Sequence, residues 1–165
     1  VLDALLRMGA KLEIARADVG PGEEPVADIT ASHSQLVAVE VSPKEFPALV
    51  DEAPILAVAA TQARGTTRIR GAAELRVKES DRMEGTVRML AAFGGEARVE
   101  GDDLVIPGPQ ALKGGEVDPH ADHRIAMAAA VASLIAAGAC RVLDPGCAQI
   151  SYPAFFPTLD GFLKG

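Results

Sequence analysis

Two helical segments of this chain have no polar face, and nothing else in the sequence restricts its fold as strongly. After Asp51-Glu52 the run Ala53-Pro54-Ile55-Leu56-Ala57-Val58-Ala59-Ala60 is apolar around its whole circumference, and Ile125 to Ala137 is apolar apart from Ser133. A helix without a polar face is stable only when other elements cover it on every side. Neither segment is a bilayer span, because the longer has 13 residues and crossing hydrocarbon takes about 20.

The surroundings of the two segments repeat. Asp51, the first apolar helix and Gly65-Thr66-Thr67-Arg68-Ile69 are echoed by Asp122, the second apolar helix and Gly138-Ala139-Cys140-Arg141-Val142. Likewise Leu6 to Ile14 is echoed by Ala91 to Val99, each a helix end, a glycine stop and a strand. The implied unit is strand, buried helix, strand, amphipathic helix and two-strand hairpin, with one full copy flanked by two partial ones. The competing reading is chance likeness between short helix–glycine–strand pieces. If the units stack about a common axis, the buried helices start at one face, with Asp51 and Asp122-His123-Arg124 together. Helix N-termini offer free N–H groups and partial positive charge to an anion.

Periodicity fills in the rest. Val1 to Met8 reads as a helix stopped at Gly9, Lys11 to Ala17 as a strand, and Gly20 to Pro25 as a turn-rich loop. Val26 to Ser32, Leu36 to Val41, Thr66 to Arg70 and Cys140 to Leu143 read as strands, and Glu96 to Ile106 as a hairpin around Gly101-Asp102. Ser80 to Phe93 is an amphipathic helix with Met83, Val87, Leu90 and Ala91 on its inner stripe, and Pro153 to Leu163 is another.

Composition excludes several functions. Lys and Arg number 16 against 23 Asp and Glu, a net charge of −7, whereas a nucleic-acid module needs clustered excess cation. The two cysteines, Cys140 and Cys147, make neither a disulfide framework nor a four-ligand zinc site; they suit a reducing cytoplasm. The chain starts at Val1 and enters a helical pattern at once, as a piece of a longer protein does.

Chemistry concentrates in Glu74-Leu75-Arg76-Val77-Lys78-Glu79-Ser80-Asp81-Arg82, where an extended segment is expected to meet the Ser80 helix. Lys78 and Arg82 beside Glu79 suit an anionic substrate in a reaction that also moves protons. Charge pattern alone favours the plainer reading, a solvated helix start with Ser80 or Asp81 as cap. For Asp122-His123-Arg124 the choice is open between an anion-binding Arg124 and a simple Asp122 cap. Asp51 and Glu52 also read first as caps, and His123 as a hydrogen-bonding rather than metal-ligating residue.

Together Leu75 to Arg82, Asp122 to Met127 and Val50 to Pro54 resemble the 5-enolpyruvylshikimate-3-phosphate synthase (3-phosphoshikimate 1-carboxyvinyltransferase) family. The likeness continues through Gly65-Thr66-Thr67, Leu112-Lys113-Gly114-Gly115 and Ser151 to Phe156. It implies a mixed α/β (α+β) fold, a pseudo-threefold repeat of βαβαββ units. Residues 1–165 would be the C-terminal lobe of the two-lobed enolpyruvyl transferase fold, a single domain, with the N-terminal lobe absent. It implies transfer of the enolpyruvyl group of phosphoenolpyruvate to the 5-hydroxyl of shikimate 3-phosphate, without cofactor or metal, in a cytoplasmic monomer. It implies roles for Asp51 as proton acceptor and shikimate ligand and for Glu79 as proton donor. Lys78 matches a shikimate 3-phosphate ligand, and Arg82 and Arg124 match ligands of phosphoenolpyruvate that also face glyphosate. The chain departs from some members at Ile150, where they carry a lysine. The alternatives are a non-catalytic anion-binding scaffold lobe and the sister UDP-N-acetylglucosamine enolpyruvyl transferase.

Overall fold

The computed structural model describes residues 1–16 and 26–164; the expected loop at Gly20 to Pro25 lies outside them. Helix α1 (Leu2–Arg7) turns through Gly9, whose φ of +87° suits a residue without a Cβ, into β1 (Lys11–Arg16). β1 pairs antiparallel with β2 (Ala27–Ser32), Lys11 opposite Ser32. Next come β3 (Glu40–Val41), α2 (Ala53–Thr61), β4 (Gly65–Ile69), α3 (Arg82–Ala92), β5 (Arg98–Glu100) and β6 (Asp103–Gly108). Their four strands form one sheet in the order β3-β4-β6-β5, with β3 parallel to β4 and the other pairs antiparallel. Then β7 (Glu116–Val117) and β8 (Arg141–Val142) pair in parallel around α4 (His123–Ser133), and α5 (Phe155–Lys164) follows.

Backbone hydrogen bonds carry the internal echo. The Val37 amide donates to the Met8 carbonyl at 2.9 Å, as the Lys113 amide does to Phe93 at 2.7 Å. Arg64 N–H donates to Leu36 and Arg70 N–H to Val41, as Ala137 does to Leu112 and Leu143 to Val117. Both parallel crossovers pass through an apolar helix. α2 and α4 pack on each other, and Leu56, Ala57, Ala60, Ile125, Ala129 and Ala132 are all essentially inaccessible. Small side chains permit that approach. β6 runs as close to the end of α2, where a Cβ on Gly108 would stand 2.3 Å from the Ala63 carbonyl oxygen. Among the described residues no helix is long and apolar enough to cross a membrane.

Several expected boundaries shift for physical reasons. The strand at Leu36 to Val41 shrinks to Glu40–Val41 plus an isolated bridge at Val37, because the Val39 amide leaves the ladder for the Thr67 hydroxyl at 3.4 Å. The second apolar helix ends at Ser133, since Ala137 is needed in a bridge with Lys113; Leu134 and Ile135 are left exposed. Met89, not Ala91, joins Met83 and Leu90 on the buried face of α3; Ala91 points to solvent. The segment before α3 is no extended strand: Ala73–Val77 is a tight 3₁₀ turn plugged into the core by Leu75.

Candidate active site

Each site element is set by its local sequence. Asp81 caps α3 by accepting the Glu84 amide at 3.0 Å, which makes Arg82 the first helical residue and turns it inward. Asp122 caps α4, accepting the amides of Arg124 at 2.9 Å and Ile125 at 3.4 Å through Oδ1. It is delivered by a turn in which His120 and Ala121 both have positive φ, 50° and 60°. Asp51 is not a cap: α2 begins beyond Glu52 with no side-chain cap and Pro54 in its first turn.

These elements meet at Arg82, whose side chain is 0% exposed. Its three nitrogens face three carboxylates. Nε donates to Asp122 Oδ2 at 3.0 Å, Nη1 to Asp51 Oδ1 at 2.9 Å, and Nη2 to Glu79. Asp122 is also 0% exposed, whereas the side chains of Asp51 and Glu79 are 44% and 48% exposed. Arg124 closes the cluster, with Nη2 3.4 Å from Asp51 Oδ2 and Nη1 3.6 Å from Glu52. Its Nε is buried and has no partner among the described residues. Lys78 stands beside the group with Nζ 2.7 Å from Glu74.

The electrostatics follow from this arrangement. Burial alone pushes the Asp122 carboxyl upward, but the hydrogen bond and charge of Arg82, with the Ser80 hydroxyl and the Arg124 amide, hold it below the ordinary aspartate value. Burial likewise works against the Arg82 charge, and the hydrogen bond and charge of Asp122 outweigh it, so its pKa is raised. Lys78 is raised chiefly by its hydrogen bond to Glu74, with Asp51 contributing at longer range. Between α2, α4 and Phe155 lies a cavity of about 190 Å³, apolar except at the end formed by Asp51, Glu52 and Arg124.

The structure thus brings together Asp51, Glu79, Arg82 and Arg124, with Lys78 at the edge. A family profile described as EPSP synthase (3-phosphoshikimate 1-carboxyvinyltransferase) matches residues 1–159. The chain belongs to the EPSP synthase family. It is 48% identical over 160 residues to the 3-phosphoshikimate 1-carboxyvinyltransferase of Desulforudis audaxviator, covering 97% of this chain and 37% of that protein. It is 47% identical over 159 residues to that of Gloeobacter violaceus, covering 96% and 37%. The solved EPSP synthase of Acinetobacter baumannii superposes with a TM-score of 0.86 at 34% identity, over 93% of this chain and 36% of that one. The enolpyruvyl transferase NikO of Streptomyces tendae, at 24% identity and a TM-score of 0.66 over 94% and 33%, shares the fold. The chain therefore spans a little over a third of the length of these EPSP synthase family relatives.

Two residues that hold the cluster from beneath are not legible as site residues in the sequence. Asp122 was legible only as a cap, which it is through Oδ1; that its other oxygen reaches Arg82, 40 residues away, is a tertiary fact. Ser80, whose hydroxyl donates to Asp122 Oδ2 at 3.0 Å, reads in the sequence only as an alternative cap to Asp81.

Proposed function

We propose that this chain is the C-terminal lobe of a two-lobed 3-phosphoshikimate 1-carboxyvinyltransferase, built from pseudo-threefold βαβαββ units. The missing N-terminal lobe of the same protein would supply the other wall of the site. In this reading the enzyme is a cytoplasmic monomer that joins phosphoenolpyruvate to shikimate 3-phosphate. Asp51 takes the proton of the 5-hydroxyl as its oxygen bonds to C2 of phosphoenolpyruvate, and Glu79 gives a proton to the methylene carbon C3. The tetrahedral adduct then loses inorganic phosphate from C2, which takes the proton held by Asp51, and a proton from C3, which returns to Glu79, so the double bond of the product forms and both carboxyl groups are restored. Lys78 pairs with the 3-phosphate, and Arg82 and Arg124 with the anionic groups of phosphoenolpyruvate.

The observation that carries the reading is the convergence of three separate segments on one cluster: Asp51 and Glu79 both meet the buried Arg82 guanidinium, and Arg124 meets the other oxygen of Asp51. Two solvent-reachable carboxylates flanking fixed cations are what a proton acceptor and a proton donor need around an anionic substrate. In the full-length protein, Asp51→Ala and Glu79→Gln should each cut phosphate release at least about 100-fold without loss of fold. Near wild-type turnover in both would overturn the assignment.

A second reading, the lobe as a scaffold that does not bind substrate by itself, is favoured by one feature. Lys78, Arg82 and Arg124 are each already paired with carboxylates of the same lobe. Calorimetric titration of the 165-residue chain with shikimate 3-phosphate should show no tight binding; a micromolar or better Kd would contradict this.

A further inference from the structure

Asp122 stands outside the acid–base and substrate-binding set proposed above, yet it is the carboxylate most deeply tied to it. Asp51 and Glu79 are each about half exposed, so solvent or a ligand can draw them off the guanidinium. Asp122 is 0% exposed, like Arg82 itself, and cannot be exchanged in that way. Its two oxygens divide their work. Oδ1 accepts the Arg124 and Ile125 amides at the start of α4. Oδ2 accepts Arg82 Nε and the Ser80 hydroxyl at the start of α3, both at 3.0 Å.

We infer that Asp122, held by Ser80, is a positioning residue that fixes the Arg82 guanidinium and locks the start of α3 to the start of α4. The inference rests on the reading of Asp51 and Glu79 as proton-transfer groups. A guanidinium is planar, so a partner at Nε fixes the plane and aims Nη1 and Nη2 outward at Asp51 and Glu79. The buried charge of Asp122 also balances Arg82 permanently. Asp51 and Glu79 then pair with a cation already compensated from below and remain free to exchange partners during turnover. Without Asp122, Arg82 must draw its counter-charge from those two carboxylates and hold them. In Asp122→Asn the side-chain oxygen still serves the α4 amides, but an NH₂ group faces Arg82 Nε–H and the Ser80 hydroxyl.

The test is steady-state kinetics of Asp122→Asn, Ser80→Ala and Ser80→Thr in the full-length protein with phosphoenolpyruvate and shikimate 3-phosphate, on material checked for fold by thermal melting. Asp51→Ala is run alongside. For Asp122→Asn the expected result is a kcat at least tenfold lower with the KM for shikimate 3-phosphate within threefold of wild type. For Ser80→Ala it is a kcat per folded molecule three- to tenfold lower, beyond any loss of Tm, restored to within twofold by Ser80→Thr. A merely structural role would lower Tm and leave kcat per folded molecule unchanged, and that result overturns the inference. If Asp122→Asn does not fold, Ser80→Ala decides alone, and wild-type kcat in it overturns the inference. If Asp51→Ala itself retains wild-type turnover, the proposed function fails first. If Asp51→Ala loses turnover while folded Asp122→Asn keeps it, the positioning inference alone fails.

Discussion

Removing the guanidinium at the centre of the cluster should unmask the cost of burying Asp122. In Arg82→Met the half-exposed Asp51 and Glu79 turn to water, as surface ions do at little cost. Asp122 cannot, because its side chain is 0% exposed. Breaking a buried pair by deleting one partner costs about 3–5 kcal/mol. Asp122 keeps the Ser80 hydroxyl and two α4 amides as donors, so the lower end, about 3 kcal/mol at pH 7, is expected. The pH dependence identifies the cause. In the parent chain the Asp122 carboxyl lies below its ordinary value, so its stabilisation is complete above the unfolded-state pKa and is lost as pH falls through the folded one. In Arg82→Met burial, the largest single influence on Asp122, is opposed only by the remaining hydrogen bonds, so the folded-state pKa is expected to rise above the unfolded one. The penalty should then grow with pH above about 4 and shrink as acid protonates the group. Urea unfolding of the 165-residue chain at pH 7 and pH 4.5, followed by circular dichroism, measures both. Arg82→Met/Asp122→Asn should recover most of the loss, because both charges are gone. A loss below 1 kcal/mol at pH 7, or an equal loss at both pH values, would refute the reasoning.

Ala121→Gly should stabilise the chain by about 0.5–1 kcal/mol, since the left-handed conformation costs an L-residue about 1–2 kcal/mol and glycine entropy returns part of that; a lower urea midpoint would contradict it. Gly115→Ala should destabilise by about 2–3 kcal/mol, because the new Cβ would stand 2.0 Å from the Ala92 carbonyl oxygen; an unchanged midpoint would be inconsistent with that contact. Glu74→Gln should return the raised Lys78 titration toward the ordinary lysine value, because the Glu74 hydrogen bond is its leading cause; an unmoved Lys78 Cε titration by NMR would exclude it.

The frame of the fold was legible because its signals are local. Apolar runs with no polar face mark α2 and α4, and the glycine stops at Gly9 and Gly94 mark where helices turn into strands or loops. What escaped depends on partners distant in sequence. Ala137 leaves its helix for a bridge with Lys113, and the Val39 amide turns to the Thr67 hydroxyl while its carbonyl stays paired with Arg68; no local propensity encodes either choice. Alanine also weakens the periodic signal, being tolerated on both faces, which is why Ala91 passed for a core position. The candidate site shows the same division. Lys78, Glu79 and Arg82 drew notice as a charged cluster, but their pattern suggested a solvated helix start. Only tertiary structure distinguishes the Arg82 side chain, sealed under Asp51, Glu79 and Asp122, from an ordinary surface arginine.

On the proposed reading, the charge balance of the cluster bears on how so acidic a face could receive anionic substrates. Lys78, Arg82 and Arg124 face Asp51, Glu52, Glu74, Glu79 and Asp122, three cations against five carboxylates, or 3 − 5 = −2. Such a face does not draw a dianion from a distance, since its field is that of a weak net negative charge. On the proposed reading, an incoming phosphate or carboxylate must exchange with Asp51, Glu79 or Glu74 for a cation they already hold. Further positive charge from outside this lobe is then required to make the exchange favourable. A carboxylate displaced from its cation binds a proton more readily. Seating the anion and activating the base thus become one event, and it works only if some counter-charge stays behind to keep Arg82 in place. Asp122, sealed and fully hydrogen-bonded, is the member of the cluster able to stay.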